Sequence, residues 1–321
     1  MDLKRVKTVM IVILMAINAF FVYNIAARHY EQNYIDEEMI VNAIEILSRD
    51  GIYADVESLP RKKLSLSIYE SRFFDSYNEN IVMLLSGSET KRTFSLPDGM
   101  RFISGNGDTV ELTGRLGVVF LPSDSDRYTA YSKIIDDALS SERVDASSAV
   151  TDTIKQKLVS DVSATVGYAK MGAECTAVYV DPVSGYHVAV FIQMMDGVPI
   201  YGHEMFCVTE GEKLLYMEGI WSFLPTDEKY SSQLTDQINI LFTEKKRIDE
   251  ERKEASEDDP SFDEKDTAQK IDTVDNVYCT YLNEARTGLY FVPAWRITYD
   301  DGTESVYDAQ SGTRYVKNDA N

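Results

Sequence analysis

Cysteine, histidine and positive charge are all scarce in this chain. Of its 321 residues only 3 are Cys and 3 are His, and 32 Lys and Arg stand against 53 Asp and Glu, a formal net charge of −21. Each shortage excludes a class. Cys175, Cys207 and Cys279 are odd in number, far apart and outside C-x-x-C spacing, so they frame neither a disulfide scaffold nor a structural zinc site. Each sits in an apolar, strand-like run where a buried thiol acts as a small hydrophobe, with one optional disulfide as the alternative. Nucleic acid is excluded as a partner, because binding it needs clustered Lys and Arg to displace condensed counterions. Attachment to a membrane surface through basic patches fails for the same reason.

Catalytic signatures are missing as well. No G-x-S-x-G, P-loop or dinucleotide fingerprint occurs, and the D-x-[DN]-x-[DN]-G calcium loop is absent. The nearest approach to a zinc motif is His203-Glu204-Met205-Phe206-Cys207. H-E-x-x-H needs a second His one helical turn on, whereas this segment alternates like a strand and puts residues 203 and 207 on one sheet face. His187 has no nucleophile tied to it and reads as structural. The glycine-rich Ser104–Asp108 stretch lies between β-like runs and reads as a hairpin turn. No catalytic, cofactor or metal residue is assigned, and no small-molecule substrate is indicated. The expectation is a binding or regulatory protein rather than an enzyme.

Apolar residues, in contrast, are plentiful: 44% of the chain is hydrophobic and 11% aromatic, enough for folded cores in about two domains. The first block of them is at the start. Thr8 to Ala27 is uncharged throughout, and a helix of that length, rising about 1.5 Å per residue, crosses a hydrocarbon core of about 30 Å. Lys4, Arg5 and Lys7 precede it, so the N-terminus is expected in the cytoplasm and the rest of the chain outside, on the cell membrane as a single-pass protein. A cleaved signal peptide ending near Ala27 is the competing reading. The run is longer than a usual signal core, and Phe20, Phe21 and Tyr23 resemble an interfacial aromatic belt. Asn18 lies inside it, where a carboxamide calls for a hydrogen-bond partner on a neighbouring helix. Ile11, Leu14, Asn18, Phe21 and Tyr23 are therefore the candidate transmembrane interaction residues.

Periodicity organises the remainder. Residues 28–125 form a membrane-proximal α+β region. It opens on an amphipathic helix from Asp36 to Asp50, with Ile40, Ala43, Ile44 and Leu47 in one stripe and Gly51 after its end. β-like runs follow at Leu64–Glu70, Ile81–Leu85, Thr93–Leu96 and Thr109–Thr113. Residues 126–228 read as a helix-plus-meander module. Its helices are expected at Arg127–Leu139 (Ala130, Ile134, Ala138 and Leu139 on one side) and Thr151–Val162. Its strands are Tyr186–Gln193, Val198–Thr209 and Lys213–Leu224, with turns at Asp196-Gly197 and Glu210-Gly211. Residues 229–321 read as a second such module, with a helix from Leu234. The strands Val277–Asn283, Leu289–Tyr299, Thr303–Ala309 and Thr313–Lys317 follow, with turns at Asp300-Asp301-Gly302 and Ser311-Gly312. Between Glu244 and Asp266, 17 of 23 residues are charged. The segment 244–266 reads as a solvated helix end dissolving into a charged loop at Asp259-Pro260. The fold class expected is α+β, a transmembrane helix followed by tandem helix-plus-antiparallel-sheet modules.

The opening MDLKRVKTVMIVILMAINAFFVYNIA resembles that of the YycI (WalI) family, through Met1, Asp2, Lys7, Val9, Ile11, Val12, Asn18 and Tyr23. Leu3 stands where the family usually has Trp. FIQMMDGVPIYGHEMFCV is similar to the family's Q-x-x-D-G-x-P-I hairpin through Gln193, Asp196, Gly197, Pro199, Ile200 and Phe206. VPAWRITYDDGTESVYDAQSG resembles its closing segment through Pro293, Ala294, Trp295, Gly302, Tyr307, Asp308 and Gly312. The resemblance implies a single-pass regulator of a cell-wall sensor histidine kinase in Gram-positive bacteria. Such a protein acts beside a YycH-type membrane protein, with exported PepSY-like modules and packing between transmembrane helices. The alternative is a tethered PepSY-type inhibitor or chaperone of an exported peptidase.

Overall fold

A computed structural model describes residues 14–15, 17–24, 34–63, 65–72, 77–114, 116–126, 129–144, 152, 154–156, 158, 171–224, 226–258, 268–282 and 287–315. The elements in chain order begin with α1 (Glu37–Arg49), β1 (Ile52–Ala54), β2 (Ser65–Arg72), α2 (Tyr77–Ser86), β3 (Thr90–Leu96), β4 (Gly99–Ser104), β5 (Thr109–Thr113) and β6 (Gly117–Leu121). Next come α3 (Tyr131–Leu139), β7 (Arg143–Val144), β8 (Met171–Val180), β9 (His187–Met195), β10 (Val198–Glu210), β11 (Lys213–Ile220) and β12 (Thr226–Gln233). The chain closes with α4 (Gln237–Asp258), β13 (Gln269–Leu282), β14 (Gly288–Tyr299) and β15 (Glu304–Asp308). The architecture is α+β, dominated by a large sheet.

The chain forms two compact units, each assembled from separate segments. One takes residues 1–66, 233–275 and 295–314; the other takes 67–232, 276–294 and 315–321. The first holds α1, β1, α4, β15 and parts of β13 and β14. α1 forms where the sequence places it: Asp36 is its N-cap, accepting from the Glu38 amide, and Gly51 follows it with φ +72°. Its buried stripe of Ile40, Ala43 and Leu47 joins Ile240, Leu241 and Ile248 of α4 in one core. β1 runs parallel to β13, pairing Ile52–Ala54 with Gln269–Ile271.

The second unit carries the long sheet, in the order β12-β2-β14-β13-β10-β11-β6-β5-β4-β3, with β9, β8 and β7 continuing from β10. The β9–β10 hairpin turns at Asp196-Gly197, whose φ values of +51° and +80° are those of a type I′ turn. β10 then departs from β9. Pro199 pairs with Met194 and the next paired residue, Glu204, with Ile192, so four residues, 200–203, face Gln193 alone. Within that bulge Gly202 adopts φ +73°, and Ile200 pairs in parallel with Tyr278 of β13.

Several expectations are corrected. Ile81–Leu85 is not a strand but part of α2, with Ile81, Val82 and Leu85 buried at helical spacing. A five-residue apolar run satisfies either period, and here the helix extends beyond it on the N-terminal side to cover Tyr77–Ser86. The buried stripe of α3 is Tyr131, Ile135 and Ala138, while Leu139 is exposed. Within 244–266, read as a solvated helix end giving way to a charged loop at Asp259-Pro260, the helix runs to Asp258, and residues 259–267 lie outside the described ones. Of the expected Thr313–Lys317 strand, Arg314 makes a single bridge to Tyr307. The second short helix is described at residues 152, 154–156 and 158. β1, β4, β6, β7, β8 and β12 are strands the pattern did not announce.

Candidate functional site

Two buried polar centres organise the described chain, one in each unit. The first is built on α4. Asp236 caps the helix through the Asn239 amide at 2.9 Å, which sets its phase. Ile240, Leu241 and Ile248 then face the core, and Glu244 falls at the same phase, its side chain only 1% exposed. Arg247, one turn on and 20% exposed, grips it in a fork: Nε to Oε2 at 2.7 Å and Nη2 to Oε1 at 2.8 Å. The phenols of Tyr299 on β14 and Tyr307 on β15 donate to the two carboxylate oxygens. Arg247 also reaches Glu251.

The electrostatics follow from this count of donors. Burial alone pushes the Glu244 carboxyl up. Hydrogen bonds from Arg247, Tyr299 and Tyr307, with the Arg247 charge, more than offset it and hold the group at about 2. Burial raises both phenols, and the Glu244 charge and hydrogen bonds raise them further, so they stay donors. Glu244 raises Arg247 in turn. The centre is an ion pair whose anion is fully committed to four donors, an arrangement that positions α4 against β14 and β15.

The second centre lies at the β10 bulge and contains Gln193, one of the hairpin residues singled out in the sequence. Its side chain pairs with the main chain of Ser222 on both sides: Oε1 accepts from the amide at 2.9 Å and Nε2 donates to the carbonyl at 2.5 Å. Residues Trp221–Leu224 are buried without belonging to a strand. A buried irregular segment needs partners for its peptide groups, and Gln193 supplies one N–H and one C=O equivalent. Trp221 adds two more ties, from its amide to Leu116 O at 2.9 Å and from Nε1 to Leu158 O at 3.1 Å.

His203 is 2% exposed and places Nδ1 2.8 Å from Gln193 Oε1. Because the Ser222 peptide fixes which end of the Gln193 amide is oxygen, Nδ1 must carry the proton. Nε2 is then a bare acceptor, buried and without a hydrogen-bond partner among the described residues. Burial drives the imidazole down to about 3, so it is neutral. The Phe291 ring stands edge-on to it at 6.3 Å. Among the described residues no group of three or more His, Cys, Asp or Glu is arranged to hold a metal ion.

No protein-family model matches the sequence, and no curated protein matches it. A crystal structure of an uncharacterized protein from Eubacterium rectale ATCC 33656 is similar at 11% identity and a TM-score of 0.47, over 88% of this chain and 99% of that one. A likeness that distant transfers nothing about activity.

The remaining singled-out residues are placed as follows. Asp196 occupies the hairpin turn with Gly197 and accepts a hydrogen bond from the Tyr69 hydroxyl of β2. Pro199 is the last residue before the bulge. Pro293 lies in β14 just past the four residues, Gly288–Phe291, that pair with β2, where a missing N–H breaks no bond of that ladder. Trp295 is buried and its Nε1 donates to Thr235 O at 2.7 Å, just ahead of α4. Gly302 and Gly312 occupy turns with φ +81° and +69°. Gln193, Asp196, Gly197, Pro199 and Pro293 thus belong to one unit, and Trp295, Gly302 and Gly312 to the other. Leu14, Asn18, Phe21 and Tyr23 are exposed on helical residues 14–15 and 17–24, while Asp2, Lys7 and Ile11 lie outside the described residues. Among the described residues no helix is long and apolar enough to cross a membrane.

Glu244 and His203 were the residues the motifs did not deliver. For Glu244 a signal exists: Ile240, Glu244 and Ile248 are spaced i, i+4, i+8, so one carboxylate sits in the apolar phase of the helix. No comparable signal marks His203, since its burial depends on the bulge.

Proposed function

We propose that the chain is a membrane-anchored, extracytoplasmic and non-catalytic regulator of a sensor histidine kinase, acting beside a YycH-type membrane protein. The observation that carries this reading is the N-terminal block: a twenty-residue uncharged run, Thr8–Ala27, with basic residues before it and Asn18 within it. The large hydrophobic side chains among the described residues of that run, Leu14, Met15, Ile17, Phe20, Phe21, Val22 and Tyr23, are exposed, which suits lipid or a partner helix. The remainder is then a pair of helix-plus-meander, PepSY-like modules outside the cell. The Glu244 carboxylate and the Gln193 amide support a non-catalytic role, because both are spent on main chain and neighbouring side chains. Regulation requires the anchor to pack differently against two states of the kinase, since a contact equal in both shifts nothing.

The test is recovery of partners from membranes. The full-length protein, and a version with residues 1–27 replaced by an unrelated transmembrane helix, are purified in mild detergent and their companions identified. A sensor histidine kinase retained by the native anchor and lost with the foreign one is the expected result. A peptidase recovered equally with both sinks it and favours a tethered inhibitor.

A further inference from the structure

The main path of the long sheet in the second unit ends in two strands that pair on one side only among the described residues, β3 with β4 and β12 with β2, while the two-residue β7 ends the branch from β10. Such edges present unpaired peptide groups and are templates for another strand. The two edges carry opposite charge. β3 reads TKRTFSL, with Lys91 and Arg92 and no acid, and its residues 91–95 are exposed in succession, so neither face is covered. Phe94 there is 45% exposed. β12 reads TDEKYSSQ, and Asp227 and Glu228 are exposed. Its one cation, Lys229, is drawn to Glu70 of β2 at 2.5 Å. Glu228 accepts from Ser67 Oγ at 2.5 Å and keeps its charge outward. Lys91, Arg92 and Asp227 form no ion pair among the described residues.

We propose that β12 of one copy of this chain adds to β3 of a second copy, continuing the sheet from molecule to molecule. With the strands parallel, Lys91 faces Asp227 and Arg92 faces Glu228; with them antiparallel, Lys91 faces Glu228 and Arg92 faces Asp227. Either direction sets two cations against two anions across the seam. Like-with-like pairing does the reverse, gathering four cations at a β3–β3 seam and four carboxylates at a β12–β12 seam. Charge on an edge ordinarily guards against pairing. Here each guard blocks its own kind and matches the other end. The contact joins different surfaces of two copies, so it leaves a free β3 and a free β12 and does not close at a dimer. This inference is independent of the kinase reading.

The experiment is sedimentation of the full-length protein in mild detergent over a range of concentrations at low salt. The native chain is expected to grow beyond a dimer as concentration rises, and to shrink at high salt as the charges are screened. K91E/R92E and D227K/E228K should each need roughly tenfold more protein to associate. The variant carrying all four changes restores the charge match and should associate like the native chain. All four side chains are exposed, and unchanged thermal unfolding of the variants establishes that they fold. The proposal is overturned if the native protein stays monomeric, if growth stops at a dimer, if either pair of reversals associates as the native chain does, or if the fourfold variant fails to recover.

Discussion

The two buried centres solve one problem in opposite ways. In the first unit a full negative charge, Glu244, is buried and surrounded by donors until it is more stable ionised than in water. At the second centre no charge is buried. Gln193 is neutral and His203 is kept neutral, with one of its nitrogens left unsatisfied. A charge tolerates burial where several rigid donors converge, as Arg247, Tyr299 and Tyr307 do, because hydrogen bonds to an ion are worth about 1.5–3 kcal/mol each, against about 1 for neutral ones. A neutral amide needs only a matching peptide group. The charged centre is thus intolerant of losing one member, and the neutral one degrades in proportion to the bonds removed.

That contrast can be broken by deletion. Glu244→Ala removes the anion and leaves a half-buried guanidinium and two buried phenols facing each other. The expected loss is about 3–5 kcal/mol in urea unfolding of the full chain. A loss under about 1 kcal/mol would mean that the carboxylate is not the organiser of α4. Gln193→Ala removes three hydrogen bonds but no charge, orphaning the Ser222 peptide. About 2–3 kcal/mol is expected by the same measurement, with hydrogen exchange at Ser222 accelerated.

The comparison sharpens most finely in pH. Below 6.5 the unfolded chain protonates His203 and the fold, with its imidazole at about 3, does not, so stability falls as pH drops from 6.5 towards 3. Glu244 contributes fully above 4.5, and that contribution is lost as pH falls from 4.5 to about 2. Between 6.5 and 4.5 the decline belongs to the neutral centre. His203→Asn should flatten the unfolding free energy there by about 1 kcal/mol per pH unit, whereas Glu244→Gln should alter the profile only below 4.5. If both variants change the same pH range, the two centres are not separate.

What was legible in the sequence is what local chemistry decides. Asp36, the Ile40–Leu47 stripe and Gly51 wrote α1 in advance, and Asp196-Gly197 wrote its hairpin, because caps and type I′ turns are chosen by two or three adjacent residues. α2 was misread since Ile81, Val82 and Leu85 fit either period over so short a run. The end of α4 was legible at Asp259-Pro260, but the density of charge after Glu244 hid the buried phase that Ile248 continues. The Gln193 centre was half visible. The residue stood out in its hairpin, but its partner Ser222 was read as part of the Lys213–Leu224 strand, which stops at Ile220, and the bulge that turns His203 inward is a property of three strands together.

The bulge at residues 200–203 also behaves like a frame in a reading system. A strand shows alternate residues to alternate sides, so an odd number of extra residues exchanges inside for outside for everything downstream. Three extra residues on β10 do this between Pro199 and Glu204. Substitutions in the stretch change one side chain, whereas removing a single residue, even the side-chain-less Gly202, would exchange the faces of Glu204 through Thr209 together. Cys207, now sealed inside, would be delivered to the other face along with its neighbours. The length of this four-residue stretch is therefore held more tightly than its composition, the opposite of what holds for an ordinary surface loop.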